Sequence, residues 1–339
     1  MTQPLLKVTD LKKHYAVTEG VILQRTRGYV HAVDGVSFEL GERRTVALVG
    51  ESGSGKTTTG KIVMKMLEPT SGEIELDGVK YSSIRGKSLF DLRKQLAMVF
   101  QDPYASLDPR RSVERIIDEP LRVHKWGSSK DRAERVDQLM EQVGLNPNDK
   151  RRLPHQFSGG QRQRISIARA LTLSPKLVVA DEPVSSLDVS VQAKIINLMM
   201  DLKRKFNLSY LFIAHDLSVV KYVSDDVIVM YLGKIVETAP KEALFTRPLH
   251  PYTMSLIAAI PLPDPELMQS NPPKLLSGET PSPINPPTGC RFNTRCQYAQ
   301  SKCSKEEPQL EQADTGHFVA CHFWREIGAT ATTRPLRST

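Results

Sequence analysis

Thr45-Val-Ala-Leu-Val49 runs without a break into Gly50-Glu-Ser-Gly-Ser-Gly-Lys-Thr57. Five apolar or β-branched residues before a glycine-rich stretch predict a buried strand ending in a tight loop, with a helix expected near Lys56–Leu67. The loop matches G-x-x-x-x-G-K-[ST]. Its glycines allow the backbone to turn N–H groups inward on a polyphosphate. Lys56 can then reach the β and γ phosphates, and the Thr57 hydroxyl can hold Mg²⁺. The candidate nucleotide-binding set in this stretch is Gly50, Ser52, Gly53, Ser54, Gly55, Lys56, Thr57 and Thr58. A ligand-free strand-to-helix turn is the plain alternative, and the strand context argues against it.

Outward from the loop, short β-branched runs alternate with amphipathic stretches over the first two thirds of the chain. That pattern predicts an α/β fold, a sheet wound with helices. Leu177–Ala180 and Tyr210–Ala214 read as buried strands, with a helix at Val191–Phe206 between them. The Leu177 strand delivers Asp181 and Glu182 at its carboxyl end. Asp181 is placed to hold Mg²⁺ and Glu182 to polarise an attacking water. Asp226–Tyr231 and Lys234–Glu237 read as a hairpin around Gly233. Residues from about Pro103 to Pro154 are charged, rich in helix formers and poor in β-branched runs, and read as a helical insert. In Phe157-Ser-Gly-Gly-Gln161, Ser158 is a natural N-cap for a helix through Ile165 and Leu171, whose first amides suit an anion.

At Phe157–Gln161 the sequence resembles the signature motif of the ATP-binding subunits of ABC transporters, with Phe where Leu is more usual. The resemblance implies a P-loop ABC-type nucleotide-binding domain with a helical subdomain over about 103–170 and bound ATP with Mg²⁺. It implies that Gln101, after the strand Ala97–Phe100, is the Q-loop glutamine, touching Mg²⁺ and signalling to a membrane subunit through the helical insert. Ser185-Ser-Leu-Asp188 is similar to the D-loop, with Ser186 and Asp188 crossing to a partner cassette. His215 resembles the switch histidine on the γ-phosphate. Tyr15 resembles the aromatic residue that stacks on adenine, and Tyr29 and His31 lie close enough in sequence to stack instead. Ser158, Gly159, Gly160 and Gln161 would act in trans on nucleotide held by another subunit. On this reading Glu182, His215 and Gln101 carry the hydrolysis, and Thr57, Gln101 and Asp181 carry the magnesium.

Composition sets the outer limits. With 339 residues, 40% apolar and 25% charged, the chain is of globular type. Lys and Arg outnumber Asp and Glu by 46 to 38, a mildly basic balance suited to anionic ligands or lipid heads but common elsewhere. No apolar stretch approaches the roughly 18 to 20 residues of a membrane helix, and Met1–Asp10 lacks a secretory core, so a soluble, cytosolic protein is expected.

All four cysteines fall late, as Cys290-x5-Cys296-x6-Cys303-x17-Cys321. Clustered thiols in a cytosolic chain point to metal rather than disulfides, and four thiolates suit Zn²⁺ or an iron–sulfur cluster, with four unligated thiols as the plain alternative. The short C-x₂₋₄-C of a zinc knuckle is absent, and the wider loops can wrap a cubane. Nine of the 23 prolines lie in Pro261–Pro287, which therefore reads as an extended linker. The expected organisation is an ATPase domain over 1–260, a linker over 261–289, a four-cysteine metal-binding region over 290–327 and a loose tail over 328–339. The cysteines lie over 100 residues beyond Glu182 and are expected to take no part in phosphate chemistry.

His250-Pro-Tyr-Thr253, Leu276-Ser-Gly-Glu279 and Pro283-Ile-Asn-Pro-Pro-Thr-Gly-Cys290-Arg-Phe292 resemble the C-terminal extension of dipeptide and oligopeptide importer ATPases. That resemblance covers about Leu5 to Trp324. It implies a [4Fe–4S] cluster on Cys290, Cys296, Cys303 and Cys321, with Zn²⁺ as the alternative. It implies ATP-driven peptide import at the cytoplasmic face of the inner membrane. The partners would be a second, homologous ATPase in a heterodimer, two transmembrane permease subunits and, indirectly, a solute-binding protein, with no nucleic acid. Relatives with nickel, glutathione, opine or sugar cargo keep the substrate open. A soluble ATPase of nucleic acid or ribosomes is the other class weighed; it would carry two ATPase units or a long coiled coil, and neither is seen.

Overall fold

The computed structural model describes residues 3–19, 25–260 and 278–330. They fall into two compact units. One takes in the described parts of Met1–Glu39, Val46–Ser82 and Ala214–Thr339; the other takes in Leu40–Thr45 and Ser83–Ile213.

The first unit opens with two long strands, β1 (Leu6–Glu19) and β2 (Arg25–Leu40), followed by β3 (Thr45–Val49) and α1 (Lys56–Val63). β4 (Ser71–Leu76) and β5 (Val79–Lys80) complete an antiparallel sheet of order β2-β1-β4-β5. Helix α1 stops four residues short of the expected Leu67. Lys65 adopts φ +53°, a left-handed conformation that ends a helix, and Pro69 follows.

The second unit carries α2 (Gly86–Leu92), β6 (Leu96–Val99), α3 (Pro103–Ser106), α4 (Val113–Val123), α5 (Ser129–Gln142) and α6 (Gly159–Ala170). β7 (Leu177–Asp181), α7 (Val189–Phe206) and β8 (Ser209–Ala214) complete it. β6, β7 and β8 pair in parallel and are buried along their whole lengths, which is why they read as continuous apolar runs rather than alternating ones. The expected helical insert is present as α3 to α6. Its starts are fixed by Ser112 and by capping boxes at Ser128 with Asp131 and Ser158 with Gln161.

The chain then returns to the first unit with α8 (Leu217–Val223), β9 (Asp226–Tyr231) and β10 (Lys234–Pro240). β9 runs parallel to β3 and forms the expected hairpin with β10, which extends three residues past Glu237. α9 (Lys241–Thr246), α10 (Pro251–Ala258), α11 (Ser301–Lys305), β11 (Glu311–Asp314), β12 (His317–Val319) and α12 (Trp324–Thr330) follow. Part of the expected linker, 261–277, lies outside the described residues, as does 331–339 of the expected tail. Gly328 to Thr330 belong to α12 rather than to a loose tail, because Trp324 and Ile327 are buried and anchor that helix.

The C-terminal segment is fastened to β10. β12 pairs with it antiparallel, Glu237 facing Val319, and β11 pairs with β12. The Glu237 side chain is fully buried. It accepts the N–H groups of Leu249 (2.7 Å) and His250 (2.9 Å) and contacts His317 Nε2 at 2.7 Å. His250 in turn caps α10, its Nδ1 accepting the Tyr252 N–H at 3.1 Å.

Burial pushes the His250 imidazole down to about 3. The unfolded chain takes that proton near pH 6.5 and the native chain refuses it. His250 therefore contributes a loss of stability that begins as pH falls through about 6.5 and continues toward 3, at up to ~1.4 kcal/mol per pH unit. His250→Asn keeps a capping acceptor but does not titrate. In pH-resolved thermal unfolding its melting temperature should fall less steeply below pH 6.5 than that of the wild type; parallel curves would exclude His250 as an acid-labile point.

Candidate functional site

In the first unit, the loop between β3 and α1 is shaped by its glycines. Gly50, Gly53 and Gly55 have φ of 147°, 78° and 105°, conformations that side chains rarely adopt. A Cβ on Gly50 would stand 2.2 Å from the Met230 carbonyl oxygen, and one on Gly55 would stand 2.2 Å from that of Ala32. The Gly233 N–H donates to the Ser54 carbonyl at 2.9 Å and ties the loop to the β9–β10 turn. Lys56 is buried and folds back over the loop, donating to the carbonyl oxygens of Gly50 (2.8 Å) and Glu51 (2.9 Å) and to Ser54 Oγ (3.4 Å). These neutral oxygens are partners that an anionic phosphate can outcompete. Ser52 is exposed at the loop tip; Thr57 and Thr58 are half-buried at the start of α1.

His215 stands exposed just beyond β8, beside Asp216, the cap of α8. Tyr15 is exposed on β1, with Lys13 Nζ 5.0 Å from its ring centroid, and Tyr29 is exposed on β2. The neighbouring His14 and His31 face Asp34. His14 Nε2 lies 3.0 Å and His31 Nδ1 3.8 Å from its carboxylate. These ligand atoms lie within 4.8 Å of one another. Arg291 and Lys234 also pair with Asp34. Burial opposes ionisation, but these cations and His14 hold the Asp34 carboxyl below the usual range. Two cations already neutralise the trio's single carboxylate, so it makes a poor metal site.

In the second unit, Asp181 ends β7 and is buried, and Glu182 follows with φ +45°, a strained conformation for a non-glycine residue. Its N–H donates to the Ile213 carbonyl at 2.9 Å. Gln101 Nε2 donates to Glu182 Oε2 at 3.0 Å, which brings together two candidate residues 81 positions apart. Ser185 Oγ donates to the Glu182 carbonyl (3.1 Å) and Ser186 Oγ to that of Gln101 (3.4 Å). Asp188 caps α7, accepting the Val191 N–H at 3.0 Å. Ser158 caps α6, and the Gln161 side chain accepts the Ser158 N–H at 2.9 Å. Gly159 and Gly160 open that helix. A Cβ on Gly160 would meet Val191 Cγ1 at 2.5 Å, so a larger residue there would force the Val191 side chain to move.

The four cysteines, back in the first unit, line one cavity together with His250, Phe292, His322 and Phe323. None is in a disulfide. The Cys290 N–H donates to the Cys303 carbonyl at 2.8 Å, which brings the first and third cysteines together. The turn before Cys290 demands Gly289, where a Cβ would stand 2.4 Å from that carbonyl oxygen. Burial pushes the Cys290 thiol up to about 11 and Cys321 to about 12, with the neighbouring cysteines adding to each. Against this, backbone N–H groups of Phe292 and Asn293 point at Cys290, those of Tyr298 and Phe323 at Cys296 and Cys321. Four converging sulfurs, ringed by amide donors, fit a bound metal centre.

Sequence reasoning did not find the contact between this segment and the phosphate-binding loop. Arg295, beside Cys296, pairs with Glu51: Nη1 lies 2.8 Å from Oε2 and Nη2 3.2 Å from Oε1. Tyr252 Oη accepts the Glu51 N–H at 2.8 Å. Separation along the chain therefore does not keep the cysteine segment away from the loop. The one available signal was the placement of Arg291 and Arg295 next to two of the four cysteines.

Among known proteins, residues 33–185 match the ABC transporter family and residues 236–303 match the C-terminal region of oligopeptide/dipeptide transporters. The chain belongs to the ABC-transporter ATP-binding proteins, as an ATPase of the oligopeptide/dipeptide branch. It is 50% identical over 323 residues to the putative oligopeptide transport ATP-binding protein YkfD of Bacillus subtilis, covering 95% of this chain and 96% of that one. The dipeptide transport ATP-binding protein DppF of Haemophilus influenzae is 49% identical over 318 residues, 94% and 96% of the two chains. The ATP-binding cassette MJ0796, solved as a dimer bound to ADP and Pi, matches with a TM-score of 0.62 at 26% identity, over 70% of this chain and 98% of that one. CbiO1 of Clostridium perfringens, part of an ABC transporter complex, matches with 0.63 at 26% identity, over 72% and 91%.

Gly55→Ala tests the loop. Left-handed backbone and the clash with Ala32 together cost about 2 kcal/mol or more. The variant should melt lower and bind a fluorescent ATP analogue at least ~10-fold more weakly, the ratio that ~1.4 kcal/mol represents. Wild-type affinity would show that the loop tolerates the methyl.

Proposed function

We propose that this chain binds and hydrolyses ATP as one of two cassettes that drive import of dipeptides or oligopeptides. The observation that carries the reading is the presence, on one chain, of the phosphate-binding loop and the C-terminal region matched to oligopeptide/dipeptide transporters. The partner cassette is a homologous chain, making a heterodimer. Two transmembrane permease subunits supply the pore, fed by a solute-binding protein. Among the described residues no helix is long and apolar enough to cross a membrane, in keeping with a peripheral subunit at the cytoplasmic face of the inner membrane.

Lys56 neutralises the β and γ phosphates, leaving its resting partners at Gly50 and Glu51. Thr57, Gln101 and Asp181 hold Mg²⁺, and Tyr15 stacks on adenine. Glu182 takes a proton from the attacking water, and Gln101 holds its carboxylate in position beforehand. His215 contacts the γ-phosphate. Ser158, Gly159, Gly160 and Gln161 present the start of α6 to nucleotide on the other subunit, with Ser186 and Asp188 at the same crossing. The work is positioning and charge neutralisation.

Cys290, Cys296, Cys303 and Cys321 hold a [4Fe–4S] cluster. A single zinc is usually held by a short C-x₂₋₄-C pair, and the spacings of five and six residues here support the larger group instead. Such a cluster supplies four strong iron–sulfur bonds, and hence local folding energy, to a segment poor in regular structure.

Glu182→Gln should leave ATP binding intact in the assembled complex and lower hydrolysis by roughly 10² or more, the value of a lost general base. Peptide-loaded binding protein should stimulate the wild type in vesicles; a complex that answers only to another cargo would overturn the peptide reading. Anaerobically purified chain should hold about four irons, the content of one cubane, and Cys303→Ser should lose them. One zinc with no acid-labile sulfide would replace the cluster with a zinc site.

A further inference from the structure

A carboxylate inside a loop that wraps a polyphosphate is electrostatically adverse. Glu51 directly follows Gly50, and its own carbonyl oxygen is one of the two that hold Lys56. Arg295 offsets that charge with two hydrogen bonds, and its side chain is only 6% exposed, so the pair is shielded from bulk water on the Arg side. Tyr231 Oη lies 3.3 Å from the same guanidinium, and Thr280 Oγ1 donates to Glu51 Oε2 at 2.9 Å. Glu51 is thus held at its carboxylate by Arg295 and Thr280, at its N–H by Tyr252 and at its carbonyl by Lys56.

Arg295 is itself held by the cysteine turn. Its N–H donates to the Phe292 carbonyl at 3.0 Å, and the Asn293 N–H donates to that of Cys290 at 3.0 Å. The Phe292 ring lines the cysteine cavity and packs against Tyr231 and Tyr252, with centroids 5.2 and 5.4 Å apart. Any loosening of Cys290 or Cys296 therefore moves the residue that neutralises Glu51.

We propose that Arg295 is a positioning residue for nucleotide binding, which holds and neutralises Glu51 and thereby makes the affinity of the phosphate-binding loop depend on an intact cysteine turn. The proposal rests on the loop as nucleotide site and holds for either metal on the cysteines.

The test is nucleotide affinity of the full chain, by titration with a fluorescent ATP analogue, with metal content and thermal unfolding followed in parallel. Arg295→Ala should raise the Kd about tenfold, ~1.4 kcal/mol, with metal content unchanged. Arg295→Lys should recover part of the loss. Adding Glu51→Gln to Arg295→Ala should recover most of it, because the uncompensated charge is gone; a merely structural role would not respond so. Cys296→Ser should raise the Kd in the wild-type background and add little in the Arg295→Ala, Glu51→Gln background. Wild-type affinity in Arg295→Ala, or no recovery on adding Glu51→Gln, overturns the proposal. If Arg295→Ala fails to fold, Glu51→Gln alone decides: with its partner charge removed, its affinity should become insensitive to Cys296→Ser, and retained sensitivity overturns the proposal. Failure of the loop assignment itself would appear separately, as unchanged nucleotide affinity in Lys56→Ala.

Discussion

One buried carboxylate organises the C-terminal third of the chain. Glu237 sits on β10 with no solvent contact, and its two oxygens serve the N–H groups at the start of α10 and the ring of His317 on β12. A polar group in that position is tolerable only because each partner is in place. Once the start of α10 is set, Tyr252 is aimed at Glu51, and once β12 is set, Cys321 follows it into the cavity. The loop contact and the cysteine site are downstream of the same three hydrogen bonds.

The resting loop is neither collapsed nor empty of order. Lys56 occupies it with its own ammonium, satisfying two carbonyl oxygens of the loop backbone. Glu182 is likewise held, by Gln101 on one side and by strained backbone on the other. Both side chains are thus already oriented, Lys56 by oxygens of its own loop and Glu182 by the Gln101 amide.

What could be read from the residues was what is local. The loop at Gly50–Thr57, the acids at 181 and 182 and the cap at Ser158 declare themselves because their chemistry requires those residue types at that spacing. β3, β6, β7 and β8 are legible because both faces are buried. β1 is not: charged and polar residues interrupt its alternation, and only Leu6, Val8 and Leu11, all near its start, are buried. β11 is too polar and β12, at three residues, too short to announce a strand; β10 sets the register of β12, and β12 that of β11. The Arg295–Glu51 pair spans 244 residues and belongs to no motif, so it exists only as a tertiary fact.

The pairing of β12 with β10 has a bearing on solubility. β10 carries Ile235, Val236 and Ala239, and without β12 its far side would be an unpaired row of amides and carbonyls on an apolar strand, an invitation to sheet growth between molecules. The C-terminal segment covers the middle of that row, at Glu237 and Thr238, and places outside it β11, a four-residue strand bearing Glu311 and Asp314, both exposed. The outermost strand is thereby short and acidic. Proteolytic loss of everything beyond the proline-rich stretch would strip this guard, leaving a nicked subunit prone to self-association rather than a smaller working one.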